Sequence, residues 1–191
     1  MTILSTLSRI VALLEIAFAA LLTVATTGLI LLNIVTRTSG NALYWVDEAA
    51  ISTMVWASFL GASAAIERRS AVAVTLLPDA MPERWQYRLR LWSDFLVLVF
   101  FVILMWLCLL WFDPLTLYRV NFSLSDFSGE TFNFIYQEST TTLGVPKFWL
   151  WSVMPAFAVF GTLHALAKLL ERDFSREPAP EPEAKHAETL R

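Results

Sequence analysis

The chain has 191 residues, of which 57% are hydrophobic, and its formal net charge is −3. Soluble domains contain roughly 45–50% apolar residues, so this composition and the mean hydropathy of +0.57 exclude an ordinary soluble protein. They indicate an integral membrane protein instead. The single cysteine, Cys108, excludes an intrachain disulfide, and we expect no nucleic-acid partner.

Four apolar stretches predict four membrane-spanning helices. A stretch of about 18 apolar residues crosses the roughly 30 Å hydrocarbon layer as a helix, and none of these stretches alternates as a membrane β-strand does. We therefore predict an all-α integral membrane domain over residues 1–170. The first stretch is too long for the core of a signal peptide and lacks a clear cleavage site, so we interpret it as a retained anchor. The predicted helices cover about residues 10–36, 48–66, 91–112 and 148–170.

The basic residues predict that both termini are cytoplasmic. In that orientation eleven of the 14 Lys and Arg residues lie on the cytoplasmic side, and only Arg37, Arg119 and Lys147 lie outside. This distribution matches the excess of positive charge that cytoplasmic segments of membrane proteins carry. Tryptophan residues at the ends of the predicted helices support the same topology, because aromatic side chains favour the membrane interface.

The second predicted helix begins with an acidic pair in the stretch WVDE, residues 45–48. Carboxylates in a first turn interact favourably with the unsatisfied N–H groups and the positive end of the helix dipole, by about 0.3–1 kcal/mol each. This capping role alone is sufficient to explain Asp47 and Glu48. The alternative is that the pair also offers negative charge to a partner at the outer face of the membrane.

Small side chains line one edge of the same helix at every fourth position: Ala49, Thr53, Ala57, Gly61 and Ala65. In lipid, small residues let two helix backbones approach closely and gain dispersion contacts. We therefore expect another helix to pack on this edge. The sequence leaves open whether that helix belongs to this chain or to another subunit.

The segments outside the spans give three further predictions. Pro82 and the residues that follow it favour a short amphipathic helix in the cytoplasmic interface between the second and third spans; a polar loop is the alternative. The outer loop, residues 113–147, is long and rich in aromatic residues, which favours ordered packing. Residues 171–191 contain acids and prolines without an apolar period, so we predict a disordered cytoplasmic tail.

Ionisable residues inside predicted spans mark functional sites by default. Glu15 and Asp94 lie near the cytoplasmic ends of the first and third spans, where we expect each carboxylate to reach the interface or to pair with an arginine. His164 lies near the end of the fourth span, and the only other histidine, His186, is in the tail. This excludes a bis-histidine haem site within the chain. The sequence lacks HExxH, CxxC, GxSxG and phosphate-loop motifs, so we predict no enzyme activity, no cofactor and no metal site.

The motifs together resemble a known family. The stretches WVDE, FLGASAAIERR and LGVPKFWLWSVMP, in this order and within four predicted spans, are similar to the small DctQ-like membrane subunit of tripartite ATP-independent periplasmic (TRAP) transporters. The chain departs from the family pattern in two places. SAVAV stands where the family often has a histidine next to a hydrophobic residue, followed by an acidic residue, and the outer loop is longer. The matching residues are Trp45, Asp47, Glu48, Phe59 to Ala62, Arg68, Arg69 and Leu143 to Trp149.

The resemblance implies the role of a scaffold subunit. In such transporters a large multi-helix permease subunit carries the substrate and sodium sites, and a periplasmic solute-binding protein delivers a small solute, often an organic acid. A chain of this family would lie in the inner membrane of a bacterium, surrounded by lipid, and would support the large subunit. The residues expected at contacts with partners or other helices are Trp45, Asp47, Glu48, Ala57, Gly61, Ala65, Arg68 and Arg69.

Two other functions are alternatives. A small four-helix, proton-coupled exporter would use Glu15 as its proton and cation site, although the long outer loop and the acidic pair do not fit that class. A membrane enzyme or cytochrome anchor fits least, because the catalytic motifs and the histidine pair are missing from the sequence. Under the scaffold interpretation the sequence does not identify the solute, because this chain would not bind it.

Overall fold

The computed structural model describes residues 3–68 and 82–174. Within these residues the chain forms seven helices and no strand, which confirms the predicted all-α class. The helices are α1 (Ile3–Thr38), α2 (Tyr44–Arg68), α3 (Glu83–Phe112), α4 (Pro114–Arg119), α5 (Leu124–Thr131), α6 (Lys147–Trp151) and α7 (Val153–Phe174).

Among the residues that the structure describes, four helical stretches are long and apolar enough to cross a membrane, as the sequence predicted. Each predicted span lies within one of them. The last stretch consists of α6 and α7, which are interrupted at Ser152. Pro155 accounts for this interruption, because it has no N–H group to donate to the carbonyl of Trp151. The four stretches are Ile3–Thr38, Tyr44–Arg68, Leu91–Arg119 and Lys147–Glu171.

Helices α1 and α2 form an antiparallel pair joined by a short turn. Gly40 ends α1 with a left-handed backbone (φ 76°), and the N–H groups of Gly40 and Asn41 donate to the carbonyls of Arg37 and Thr36 at 3.2 and 3.0 Å. These are the two hydrogen bonds of a Schellman motif, for which glycine has no steric penalty. The turn therefore directs α2 back along α1.

Helix α7 lies at the centre of the bundle and contacts α1, α2 and α3. Several of its buried residues are small, which lets the other helices approach closely: Ala158, Ala165 and Ala167 are each at most 2% exposed. On the α3 side, Gly161 lies directly against the buried ring of Phe101. A Cβ atom at Gly161 would be 2.1 Å from Phe101 Cε1, so no larger residue fits here without displacing the ring.

The helix predicted to begin at Pro82 is not a separate element. Pro82 immediately precedes α3, which continues without interruption from Glu83 to Phe112. A helix of 30 residues is about 45 Å long, which exceeds the roughly 30 Å hydrocarbon thickness. In these first turns the Arg88 guanidinium lies over the ring of Trp85, 5.7 Å from its centroid, so the basic and aromatic side chains are stacked together.

Two predictions fall partly or wholly outside the described residues. The described residues include neither Arg69 nor residues 175–191 of the predicted disordered tail. Where the tail was predicted to begin, α7 continues to Phe174. The outer loop is described throughout, and α4 and α5 give it the ordered structure that its aromatic residues predicted.

Candidate functional site

Two carboxylate clusters lie at opposite ends of the helix bundle. We call the end that contains the α1–α2 turn and residues 113–147 the loop end, and the other end the terminal end. The loop-end cluster is built on Asp47 and Glu48, and the terminal-end cluster on Glu15. The two clusters differ in how many of their carboxylate oxygen atoms accept hydrogen bonds.

Glu48 receives four hydrogen bonds from a turn almost a hundred residues further along the chain. Its Oε1 accepts from the backbone N–H of Thr141 at 2.9 Å. Its Oε2 accepts from the N–H and hydroxyl of Thr142 at 2.7 and 2.6 Å and from the N–H of Leu143 at 2.9 Å. Three successive N–H groups directed at one anion form a nest, which favours the ionised carboxylate.

The turn that makes this nest is fixed by its own hydrogen bonds. The N–H of Thr140 donates to the carbonyl of Val145 at 2.8 Å, and the N–H of Lys147 donates to the carbonyl of Glu138 at 2.8 Å. Gly144 has a left-handed backbone (φ 66°), a conformation that costs glycine little. Glu48 therefore fastens a preformed turn of the outer loop onto the start of α2.

Asp47 joins α2 to α1. Its Oδ2 accepts from Arg37 Nη2 at 2.5 Å, and its Oδ1 accepts from the side-chain amide of Asn33. Asn33 Oδ1 in turn accepts from Arg37 Nε at 2.9 Å. Arg37, counted in the sequence only as an outer basic residue, is thus a partner of the acidic pair, and the two acids bind different parts of the chain.

The predicted small-residue edge of α2 contacts α1 at Thr53. Thr53 Oγ1 lies 2.8 Å from Thr26 Oγ1 of α1. At Gly61, by contrast, no described heavy atom lies within 4 Å of the position that a Cβ would occupy. The glycine that permits close packing within the chain is Gly161, which the sequence analysis missed because no repeated small-residue spacing marks it.

The other predicted contact residues lie at or near the surface of the chain. Trp45 is 41% exposed, next to the fully buried Val46. Ala57 and Ala65 are half-buried, and Arg68 is exposed. Contacts between these residues and a partner subunit stay predictions. In the chain alone, part of each of these residues is accessible.

The terminal-end cluster corrects the interpretation of Glu15. Its carboxylate is 3% exposed and does not reach the interface; its Oε2 lies 2.9 Å from Nε2 of His164. The other ring nitrogen, Nδ1, lies 2.8 Å from the hydroxyl of Ser8. His164 and Ser8 are 0% and 1% exposed. The partner of Glu15 is therefore a histidine on α7 and not an arginine.

Two buried oxygen atoms near this level have no hydrogen-bond partner among the described residues: Glu15 Oε1 and Ser63 Oγ. The antiparallel register, in which Thr26 meets Thr53 and Asn33 meets Asp47, puts Ser63 of α2 at about the level of Glu15. The buried network of Ser8, His164 and Glu15 is thus only partly satisfied, whereas Glu48 has partners on both oxygens.

A second set of charges lies closer to the terminal end. Lys168 Nζ contacts Glu67 Oε1 at 3.1 Å, and Arg9 Nε lies 4.0 Å from the same oxygen. Lys168 and Glu67 are 14% and 13% exposed. Together with the Glu15 network, these residues connect α1, α2 and α7.

The chemistry available to the terminal-end cluster is limited by burial. Serine, histidine and glutamate are the residue types of a hydrolytic triad, but Ser8 is 1% exposed and its hydroxyl lies against His164 of α7, so the described residues leave it no opening to the surface. Within residues 3–68 and 82–174, no group of three or more His, Cys, Asp and Glu side chains could hold a metal ion. The geometry supports helix pairing at this end.

The outer loop packs around Tyr136. Its hydroxyl donates to the carbonyl of Phe112 at 2.6 Å, and its ring stacks edge-to-face on Phe127, with centroids 5.2 Å apart. Burial, with a smaller contribution from the nearby Asp113 carboxylate, raises the pKa of Tyr136 above its ordinary value. Tyr136 therefore stays protonated and able to donate this hydrogen bond across the physiological pH range.

These features define a multi-pass α-helical membrane protein whose polar clusters hold its own helices and loop together. The family model for the DctQ component of tripartite ATP-independent periplasmic transporters matches residues 26–174. The chain belongs to this family of small transporter components, as its motifs indicated. A comparison with curated proteins gave no match. The Glu48 nest and His164 lie inside the matched residues, and Ser8 and Glu15 precede them.

Proposed function

We propose that this chain is the static scaffold of a TRAP-type secondary transporter for a small solute, with an organic acid as the favoured class. The observation that carries this proposal is the match to the DctQ component over residues 26–174. On this proposal a large multi-helix permease subunit holds the solute and sodium sites, and a periplasmic solute-binding protein supplies the solute.

The pairing of the polar groups supports a scaffold. Both oxygens of Glu48 are bonded to the outer loop, those of Asp47 to Arg37 and Asn33, and Oε2 of Glu15 to His164. A transport site needs polar groups that are free to exchange partners with a solute or an ion. Because these three carboxylates hold the fold together, we assign solute and sodium binding to the larger subunit.

The open small-residue surface of α2 supports a docking role. A Cβ atom at Gly61 would have no described atom within 4 Å beyond its own stretch of helix. Ala57 lines a shallow groove between α1 and α2 with Thr23, Thr26, Thr27, Met54 and Ser58. The hydroxyls of Thr23, Thr26, Thr27 and Ser58 donate to carbonyls of their own helices. A surface of small side chains with satisfied hydroxyls suits a transmembrane helix of the large subunit.

The proposed orientation has both termini in the cytoplasm and the loop end in the periplasm of a bacterial inner membrane. The basis is the distribution of Lys and Arg in the sequence, which favours a cytoplasmic terminal end. In this orientation the outer loop is on the side from which a solute-binding protein approaches. The loop and the exposed Trp45 are then the parts of this chain that such a protein can contact.

The exporter alternative is less well supported. A proton-coupled exporter that uses Glu15 requires access from water or substrate to this carboxylate, which is 3% exposed and bonded to His164. Glu15→Gln in purified, reconstituted protein separates the two functions. An exporter loses proton-coupled transport, whereas a scaffold subunit that still assembles with its partner retains solute uptake.

Co-purification tests the scaffold proposal. The affinity-tagged chain, expressed together with the genes that adjoin it and extracted in mild detergent, should retain a stoichiometric partner with many transmembrane helices. Gly61→Leu should reduce the yield of this complex. Gly28→Leu is the matched control, since Gly28 is also helical and a Cβ added there would likewise have no described atom within 4 Å beyond its own stretch of helix. Recovery of the chain alone or as a homodimer contradicts the proposal.

A further inference from the structure

The first helix of the outer loop has an apolar face that no described part of the chain covers. Leu115, Tyr118 and Phe122 are 77%, 73% and 66% exposed. Leu115 and Tyr118 are three residues apart on α4 and share a side of that helix. The ring of Phe122 stacks on Tyr118 with centroids 6.3 Å apart. We call these three residues the α4 face.

The backbone around Phe122 holds this arrangement in an unusual conformation. Phe122 has a φ of 61°, and the preceding Asn121 has a φ of 52°. A positive φ is an outlier for a bulky residue such as phenylalanine, and such outliers persist only where the surrounding structure enforces them. The N–H of Phe122 donates to the carbonyl of Leu117 at 3.0 Å, which closes the end of α4 and keeps the ring beside Tyr118.

The position of the α4 face is fixed relative to the end of α3. Asp113 alone separates the two helices; its N–H donates to the carbonyl of Leu109 at 3.0 Å, and its carboxylate accepts from the N–H of Thr116 at 3.1 Å. Asn133 and Tyr136 donate to the last carbonyls of α3, those of Trp111 and Phe112, both at 2.6 Å. The loop is therefore tied to the point at which α3 ends.

The apolar surface of the span continues across this junction. Leu110 and Trp111 near the end of α3 are 57% and 38% exposed, and the apolar helical stretch of the third span extends to Arg119. Aromatic side chains concentrate where a span leaves the hydrocarbon layer. Arg119 follows Tyr118 and is itself exposed, which suits a cation that reaches lipid headgroups while its neighbours enter the acyl boundary.

We propose that the α4 face lies in the interfacial layer of the bilayer, with Leu115, Tyr118 and Phe122 in contact with lipid. The outer loop is then a lipid-anchored platform at the membrane surface. The occupant of this face is lipid because the face is continuous with the exposed apolar surface of the third span. This inference depends on the chain spanning a membrane and requires that no partner subunit cover the face, but it does not need the proposed scaffold function to be correct.

Spin labels test this location in the full-length chain. In a Cys108→Ala background, a single cysteine replaces Tyr118 in one variant and Phe122 in another. Each variant is labelled with a nitroxide and reconstituted in vesicles of phosphatidylcholine and phosphatidylglycerol. Collision rates are measured with oxygen, which enters lipid, and with a water-soluble nickel chelate. Leu110→Cys is the lipid-exposed reference and Ser125→Cys, on the exposed surface of α5, is the water-exposed control.

Labels at 118 and 122 should lose most collisions with the nickel chelate relative to the label at 125, and their collisions with oxygen should approach those at 110. Nickel collision rates equal to those at position 125 at both sites would overturn the proposal. The same measurement on the chain co-reconstituted with its co-purified partner gives a second criterion. Loss of collisions with both reagents in that complex means that protein covers the face and also overturns the proposal.

Discussion

Glu48 at the loop end and Glu15 at the terminal end belong to similar apolar helices but are stabilised in different ways. Glu48 accepts four hydrogen bonds from one turn and remains partly exposed. Glu15 is almost completely buried, has one histidine partner, and has one oxygen without a partner among the described residues. The loop end therefore tolerates the loss of one contact, since water can replace it, whereas the terminal end does not.

The largest effect is expected from His164→Ala. Removing this ring takes the hydrogen-bond partner from both Glu15 and Ser8, and each buried polar group left unsatisfied costs roughly 1–3 kcal/mol. Thermal unfolding in detergent, followed by circular dichroism, should show a large loss of stability. The double variant Glu15→Leu with His164→Ala should recover part of that loss, because the uncompensated carboxylate is gone. A double variant as unstable as His164→Ala alone would contradict this explanation.

A smaller effect is expected one turn before His164, at Gly161. In Gly161→Ala the new methyl group overlaps the buried ring of Phe101, and overpacking of this kind costs about 1–3 kcal/mol. Gly61→Ala is the matched control, because it adds the same methyl group to a helix with open space. There the change should be neutral or stabilising by about 0.4–1 kcal/mol. Equal effects of the two substitutions on the unfolding temperature would refute the assignment of Gly161 as the packing glycine.

The smallest effect on global stability is expected from Glu48→Gln. The amide retains one acceptor oxygen but loses the negative charge that the nest binds, so residues 140–145 should open more often while the helices stay folded. Amide hydrogen exchange should become faster at Thr141, Thr142 and Leu143. Asp47→Asn is the control, since Asp47 bonds to α1 and not to this turn. Unchanged exchange in Glu48→Gln would mean that the turn is held by its internal hydrogen bonds alone.

The sequence predicted the helices well and their side-chain partners poorly. Length and hydropathy are properties of continuous stretches, so the four spans follow from the sequence directly. The partners of Glu48 and Glu15 are 93 or more residues away in the chain, and no local pattern connects them. Glu48 was interpreted as a helix cap or a partner contact because both roles depend on its immediate neighbours. Its contact with residues 141–143 requires the tertiary structure.

The two glycines illustrate the same limit. Gly61 attracted attention because it belongs to a regular series of small residues, and regular spacing can be seen in a sequence. Gly161 has the same size but lies opposite Phe101, and only the arrangement of α3 against α7 reveals that contact. The predicted interfacial helix is not a separate element, and again the local pattern alone did not show how the chain continues. The amphipathic residues after Pro82 form the first turns of α3, whose length exceeds the hydrocarbon layer.

The distance in sequence between Glu48 and its nest also sets an order of events during synthesis. Residue 48 leaves the ribosome 93 residues before Thr141, the first donor to its carboxylate; at 5–20 residues per second this interval is roughly 5–20 s. The interval is longer for Glu15, because its partner His164 is synthesised 149 residues later. Glu48 therefore lacks these donors until residues 141–143 of the outer loop are made, and Glu15 lacks its histidine until the last helix is made. The loop that binds Glu48 and the helix that binds Glu15 are both made late, so a chain truncated before residue 141 leaves both carboxylates without these partners.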